Sequence, residues 1–443
     1  MDKNISKHFV INSTKEFFLF QLDRSGCLSY KVLDKNLNQI DKHIIRKNDA
    51  LKFDISLDIN NNINLIYLLK NGELHFNIYK ETTWINSIIG KFDTASNKYS
   101  LLETLNIDDS LNIIYSYANL INSNIYTLHH IRFKNNSSEK YSITKFVSNE
   151  PIKPFSIHYD RSGTIHLLYN TISRNGSHIF YSYYSPYIKK WNINPKDLSH
   201  KNNHIMSPYI FIDSKSNIHG VWVEKDKSNY YLKYIRMSTI GKEKYIWNSI
   251  EVPYVLSQES YPIIYEENNK LNISYYNNKV IYNIVSYDYG LSWSEDNRIN
   301  VNADIFLIPV TLNSSLYPNI KLNHTFLCED LDREIYLIKS LINNDAINPV
   351  FNSKEQATTS SENDSDSLKY VNKNLSVNQE TISIDTNELL GKIQEIQASQ
   401  RELKSELNKI IKSEEIILNI IKNIQTSLED NKSSFFEKLF NRN

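Results

Sequence analysis

From residue 8 to residue 342, apolar and polar positions alternate in short runs separated by polar turns, the period of half-buried β-strands. The clearest stretch begins at Pro154. Pro154-Phe-Ser-Ile-His-Tyr159 predicts a first strand and Asp160-Arg-Ser-Gly163 a tight turn. Thr164 to Asn170 predicts a second strand, Ser177 to Tyr184 a third, and a turn at Pro186 leads toward a fourth at Trp191. After residue 342 the pattern changes. Residues 343–385 show neither period and are rich in Ser, Thr, Asn, Asp and Glu, which predicts a disordered linker. Beyond it, apolar residues recur with the heptad period of a coiled coil from 386 to 430.

The four-strand unit repeats. An acidic residue is followed nine positions later by a large aromatic in Asp58…Tyr67, Asp160…Tyr169, Asp213…Trp222 and Glu266…Tyr275, at an interval of about 53 residues. Degenerate copies end at Tyr115 and Tyr336. Four short strands in about 50 residues match one blade of a β-propeller, whose sheets bury both faces against their neighbours. A solenoid is the rival, with repeats that are usually shorter. Units begin near residues 51, 101, 154, 208, 262 and 318, and residues 8–50 hold another strand series with a turn at Arg24-Ser-Gly26. The fold class is therefore all-β, a propeller over 8–342 of seven blades, with six as the second reading. The last unit lacks a fourth strand, which His8-Phe-Val-Ile-Asn12 is placed to supply.

Composition sharpens this picture. The chain holds 30 Tyr and 18 Phe but only 9 Gly, so aromatic residues fill the strand positions. Fifty basic residues balance 50 acidic ones, which leaves no basic stripe for a phosphate backbone and argues against nucleic acid as a partner. Cys27 and Cys328 lie in units that adjoin if the ring closes, so a bridge between them is geometrically conceivable. The polar start Met1-Asp-Lys-Asn-Ile-Ser-Lys lacks the apolar run of a secretory signal, and no apolar stretch is long enough to span a bilayer. The expected location is cytoplasmic.

The sharpest local motif is Ser286-Tyr-Asp288-Tyr-Gly290-Leu-Ser-Trp293. It fits Ser/Thr-x-Asp-x-Gly-x-x-Trp, and the chain here resembles the Asp-box (BNR) repeats of sialidase-like β-propellers. In such a turn Asp accepts hydrogen bonds from amides, Gly tolerates positive φ, and Trp packs beneath the hairpin. Trp84, Trp191 and Trp247 stand at comparable distances after their own acidic residues. The resemblance implies a glycosidase with an Arg-Ile-Pro motif, an arginine triad, a Tyr/Glu nucleophile pair and an acid/base Asp. This chain has no Arg-Ile-Pro, and its early arginines, Arg24 and Arg46, stand in other contexts.

Other chemistry is read as structural. His166 and His219 share one repeat position that sister units fill with Asn64, Asn112 and Asn272. His129 and His130 are adjacent on a strand and so point to opposite faces. Recurrence of the acidic residues beside turns favours hairpin support over catalysis. No cofactor and no metal site is expected.

In the C-terminal helix the d positions are Leu389, Ile396, Leu403, Ile410, Ile417 and Ile424, and Ile393, Leu407, Ile421 and Leu428 occupy a positions together with polar Gln400 and Glu414. Such a helix, about 65 Å long, predicts self-association into a homo-oligomer. The tail, 431–443, groups Phe435, Phe436, Leu439 and Phe440 on one face, suited to capping the bundle, docking on a partner or touching a membrane surface. Two functions remain open. One is a non-enzymatic oligomeric binding protein presenting a propeller head to a protein or glycan. The other is a divergent sialidase-like glycoside hydrolase or lyase using the central pocket.

Overall fold

Among the described residues the alternation in the sequence becomes six sheets, five of them antiparallel throughout. The structure, a computed structural model, describes residues 6–328 apart from 13, 81, 135–136, 149–153, 174–175, 200–203, 242–243, 302–304 and 314. The linker, the coiled coil with its heptad positions, and the tail residues Phe435, Phe436, Leu439 and Phe440 lie outside the described residues.

The strands of each blade are named a to d. In blade 1 they are Ser6–Ile11, Phe17–Leu22, Leu28–Leu33 and Gln39–Arg46. Blade 2 comprises Ala50–Leu57, Ile63–Leu69, Glu73–Lys80 and Thr83–Lys91. Blade 3 comprises Asn97–Ile107, Ser110–Asn119, Ile125–Lys134 and Ser137–Val147. Blade 4 comprises Phe155–Tyr159, Ile165–Ser173, Gly176–Ser185 and Lys190–Trp191, with Lys196–Asp197 also on its third strand. Blade 5 comprises His204–Ile212, Ile218–Asp226, Asn229–Met237 and Trp247–Ser249. Blade 6 comprises Ile263–Glu267, Lys270–Asn277, Val280–Ser286 and Ser294–Asn300.

Six apolar clusters of described residues sit one at each junction between successive sheets, and the sixth joins blade 6 back to blade 1. Period two in the b strands distributes them. In blade 4, Ile165, Leu167 and Tyr169 face blade 3 while Leu168 faces blade 5. The recurring aromatic has one job throughout: Tyr67, Tyr115, Tyr169, Trp222 and Tyr275 are all buried against the preceding blade. Burying each such ring is worth about 1.5–3 kcal/mol.

The seven-blade expectation is corrected to six. Of the presumed last unit, which begins near residue 318, the described strand His324–Cys328 joins blade 1: it pairs in antiparallel with Ile305–Leu312, which in turn pairs in parallel with Ser6–Ile11 (Phe9 opposite Val310). The N-terminal strand pairs with Ile305–Leu312, ahead of that unit, and not with His324–Cys328 itself, all within a six-stranded blade 1. A short strand between them, Ile320–Lys321, pairs with the a strand of blade 6. Both cysteines are free, Cys27 ahead of the third strand of blade 1 and Cys328 in this closing hairpin. Among the described residues no helix is long and apolar enough to cross a membrane.

Turn chemistry explains the register. Asp58, Asp160 and Asp213 each accept backbone N–H bonds from the residues two and four ahead, at 2.7 to 3.0 Å. The residue three ahead has positive φ, as at Asn61, Gly163 and Ser216. The same turn recurs in blade 1 at Asn12, Asp23 and Asp34. Glu266 departs from the sequence expectation. It is a strand residue opposite Leu271, and the turn is made by Asn268 and Asn269, both with positive φ. Its buried carboxylate reaches instead to blade 5 and accepts Ser214 N at 2.7 Å and Ser214 Oγ at 2.5 Å. It ties one blade to the next.

Candidate functional site

The Asp-box residues converge in the c–d turn of blade 6. Ser286 Oγ donates to Asp288 Oδ1 at 2.8 Å and accepts Gly290 N at 2.8 Å, and Asp288 accepts Leu291 N and Ser292 N at 3.1 and 2.8 Å. The turn rests on blade 5. Trp293 packs edge-on against Tyr234 with centroids 4.9 Å apart, and Arg236 Nε donates to Tyr289 O at 2.8 Å. A Cβ on Gly290, whose φ is +84°, would stand 2.0 Å from Tyr234 Oη, so only glycine permits this approach.

Beneath it runs a buried relay. His219 Nε2 lies 3.1 Å from Asp213 Oδ2, and Nδ1 lies 2.8 Å from Tyr234 Oη. Burial opposes ionisation of both groups. The His219 and Asn217 hydrogen bonds nevertheless hold the Asp213 carboxyl below its ordinary range, while desolvation holds His219 down. An ionised Asp213 only accepts, which places the imidazole proton on Nε2 and leaves Nδ1 to accept from Tyr234. Blade 4 repeats the arrangement in Asp160, His166 and Tyr181, at 3.3 and 2.8 Å. Burial raises the Asp160 pKa, but hydrogen bonds from His166 and Ser162 bring it down to about 2. Recurrence in two blades marks the relay as part of the repeat. His129 and His130 do face opposite ways. His130 bonds Asn112 and accepts from Trp191 Nε1 of blade 4, while His129 lies beside Tyr115 and Tyr117.

At the centre, the a strands bring together groups that no sequence motif announced. Asp54 Oδ2 accepts Thr104 N at 2.5 Å and Thr104 Oγ1 at 2.8 Å, and His8 Nδ1 lies 3.3 Å from Asp54 Oδ1. Burial, aided by the charge of Glu103, pushes the Asp54 pKa up to about 7. The closing hairpin reaches these strands. His324 Nδ1 lies 3.2 Å from Tyr209 Oη of blade 5, and Lys321 Nζ donates to Ile212 O of the same blade at 3.2 Å. Thr311 Oγ1 donates to Ile55 O of blade 2, and burial together with the Lys321 charge holds His158 of blade 4 down to about 3. With its pairing to blades 1 and 6, the hairpin touches five of the six sheets, and Thr325, Phe326 and Leu327 in it are buried. Two carboxylates, Asp54 and Glu103, three histidines, His8, His158 and His324, and Tyr209 are gathered here. Among the described residues no three His, Cys, Asp or Glu side chains are grouped to hold a metal ion.

The second concentration of chemistry is a shallow, open cleft on blade 6. Tyr254, Tyr282, Glu295, Asp296 and Arg298 line it. Tyr282 stacks on buried Tyr275 at 5.4 Å and 7°, the Arg298 guanidinium lies 5.1 Å from the Tyr282 ring centre, and Arg298 Nη2 bonds Glu295 at 3.0 Å. The pairing register shifts between Tyr282 and Ile284, a bulge of the kind that re-aims side chains beside a site. Sequence reading missed this cleft. Its partial signal was the crowding of Tyr with Glu, Asp and Arg on the last two strands of one blade.

No protein-family model matches the chain, and no curated protein does. Among solved structures it is similar to a polysaccharide lyase of family PL25, an ulvan lyase, at 10% identity and a TM-score of 0.47 over 75% of this chain and 88% of the other. It is similar to AofleA from Arthrobotrys oligospora at 13% and 0.39, over 67% and 87%. An α-L-arabinanase of Penicillium chrysogenum matches at 9% and 0.41, over 63% and 93%.

Proposed function

We propose that the chain is a non-enzymatic binding protein. Its propeller head takes a glycan at the blade 6 cleft, and the C-terminal coiled coil multiplies the head into an oligomer. The observation that carries this reading is the closing hairpin in the middle of the ring, where a pocket enzyme of this architecture would hold its substrate. The cleft has chemistry a sugar could use: the Tyr254 ring for its C–H side, and a guanidinium with two carboxylates for its hydroxyls. Several heads on one stalk would raise avidity from a weak single site.

Calorimetric titration of neutral and acidic oligosaccharides is the test. Binding should weaken about tenfold, or about 1.4 kcal/mol, in Tyr282→Ala and in Arg298→Ala. Light scattering should show a monomer once residues 386–443 are removed; an unchanged oligomer would defeat the stalk. The second reading, a sialidase-like hydrolase or lyase, draws on Asp54 and Glu103, one carboxyl held near neutrality beside another. Turnover of a fluorogenic sialoside or other glycoside, abolished by Asp54→Asn, would establish it in place of the first.

A further inference from the structure

The blade 6 cleft owes its arrangement of charges to the bulge in its d strand. Glu295 stands opposite Ile284 and Arg298 opposite Tyr282, so Asp296 and Asn297 together face the single residue Asn283. In a regular strand residues three apart point to opposite faces. The extra residue puts Glu295 and Arg298 on one face, and Asp296 lines the cleft with them.

The polar groups of the cleft are unevenly committed. Arg298 Nη2 donates to Glu295 at 3.0 Å, and the guanidinium lies against the Tyr282 ring. The Tyr275 hydroxyl accepts Val255 N at 2.9 Å, and Asn283 Oδ1 accepts Ser274 Oγ. Asp296 has neither a hydrogen-bond nor an ion-pair partner among the described residues. Two carboxylates therefore line the cleft with one cation, that cation is already paired, and no lysine or histidine stands beside it in the lining. What is left over is negative charge and hydrogen-bond acceptors.

We infer that the cleft selects an amino sugar, whose ammonium group bonds Asp296 while its ring lies along Tyr254. The inference rests on the glycan reading of the same cleft. An ionised carboxylate only accepts and an ammonium only donates, with three hydrogens to give, so the two complement each other in hydrogen bonding as well as in charge. A uronate or sulfated sugar brings more acceptors and more negative charge to a place that holds both in excess. An N-acetyl group replaces the cation by a neutral amide. Glu295 and Asp296 are exposed, so water screens the attraction and the selection is modest.

The test is calorimetric titration of the full chain with trimers of glucosamine, of N-acetylglucosamine and of galacturonic acid, at about pH 6, where an amine carries its proton. The glucosamine trimer should bind about threefold tighter than its acetylated counterpart, or about 0.7 kcal/mol, and the uronate trimer should bind weakest. Raising the salt should shrink these differences. Asp296→Asn should bring the glucosamine trimer to the affinity of the acetylated one. The change touches an exposed side chain, and unchanged thermal melting verifies the fold. Equal affinities for the two hexosamine trimers, tighter binding of the uronate, or a preference that survives Asp296→Asn would overturn the inference and leave the cleft a glycan site. So would Nα-acetyl-lysine amide binding as tightly as the glucosamine trimer, since the ammonium would then be recognised without its sugar. If no trimer binds, or if Tyr282→Ala and Arg298→Ala leave every affinity unchanged, the glycan reading of the cleft fails and the amino-sugar assignment with it.

Discussion

At the scale of single residues, the most consequential side chain is Asp54. Its carboxyl sits in a strand buried between blades, and burial with the nearby Glu103 charge moves its pKa from 3.8 to about 7. The folded state therefore keeps a proton that the unfolded chain has released. This contribution to stability is complete below the unfolded value and is lost as pH rises through the folded one. Between about pH 5 and pH 8 the loss amounts to about 2–3 kcal/mol, or about 5 °C in Tm. Asp54→Asn keeps an acceptor for Thr104 N but removes the titration. Thermal melts at the two pH values should show the drop in the parent and a drop smaller by about that amount in the variant. Nothing in the sequence singled out Asp54. It lies four residues ahead of the conspicuous Asp58, and its partners Thr104 and His8 are 50 and 46 positions away in the chain. Asp58 itself, legible as a turn acid, proves to be one.

At the scale of elements, the four outer tryptophans form a repeated clasp. Trp84 Nε1 donates to Tyr30 at 3.3 Å, Trp191 Nε1 donates to His130 at 3.2 Å, and Trp247 and Trp293 pack edge-on against Tyr181 and Tyr234. In every case the partner stands on the third strand of the preceding blade. The sequence revealed that the tryptophan persists when the rest of the Asp-box has decayed. The reason was hidden, because the clasp joins residues in different repeats. Trp293 is half-buried, so Trp293→Ala should cost about 2–3 kcal/mol, below the range for a fully enclosed ring. Gly290→Ala should destabilise through its clash with the Tyr234 hydroxyl. Removing that hydroxyl in Tyr234→Phe should recover part of the loss, so a double-mutant cycle followed by urea unfolding should give a coupling of about 1 kcal/mol. Strict additivity would mean the turn does not press on the relay.

At the scale of the whole ring, repetition made the architecture legible but miscounted it. Six of the seven units drawn from the sequence are sheets, and five of the a strands begin within a few residues of the predicted starts. The remaining unit looked like a blade because its strands have the same alternation as the others. Period and spacing report that a strand exists, not which sheet it joins, and here the deciding contact is a parallel pairing between Phe9 and Val310, near opposite ends of the head. Closure in this form predicts how the ring fails. The closing hairpin touches five sheets, and Phe326 in it packs into the core shared by blades 5 and 6 while its strand belongs to blade 1. Phe326→Ala should therefore cost about 3–5 kcal/mol, lowering Tm by about 10 °C. Because every sheet's outer faces are completed by neighbours, the loss cannot be confined to one blade. Scanning calorimetry of the variant should show one transition for the head, with calorimetric and van't Hoff enthalpies equal. Two resolved transitions, with blade 1 melting ahead of the rest, would mean that the hairpin decorates the ring without closing it.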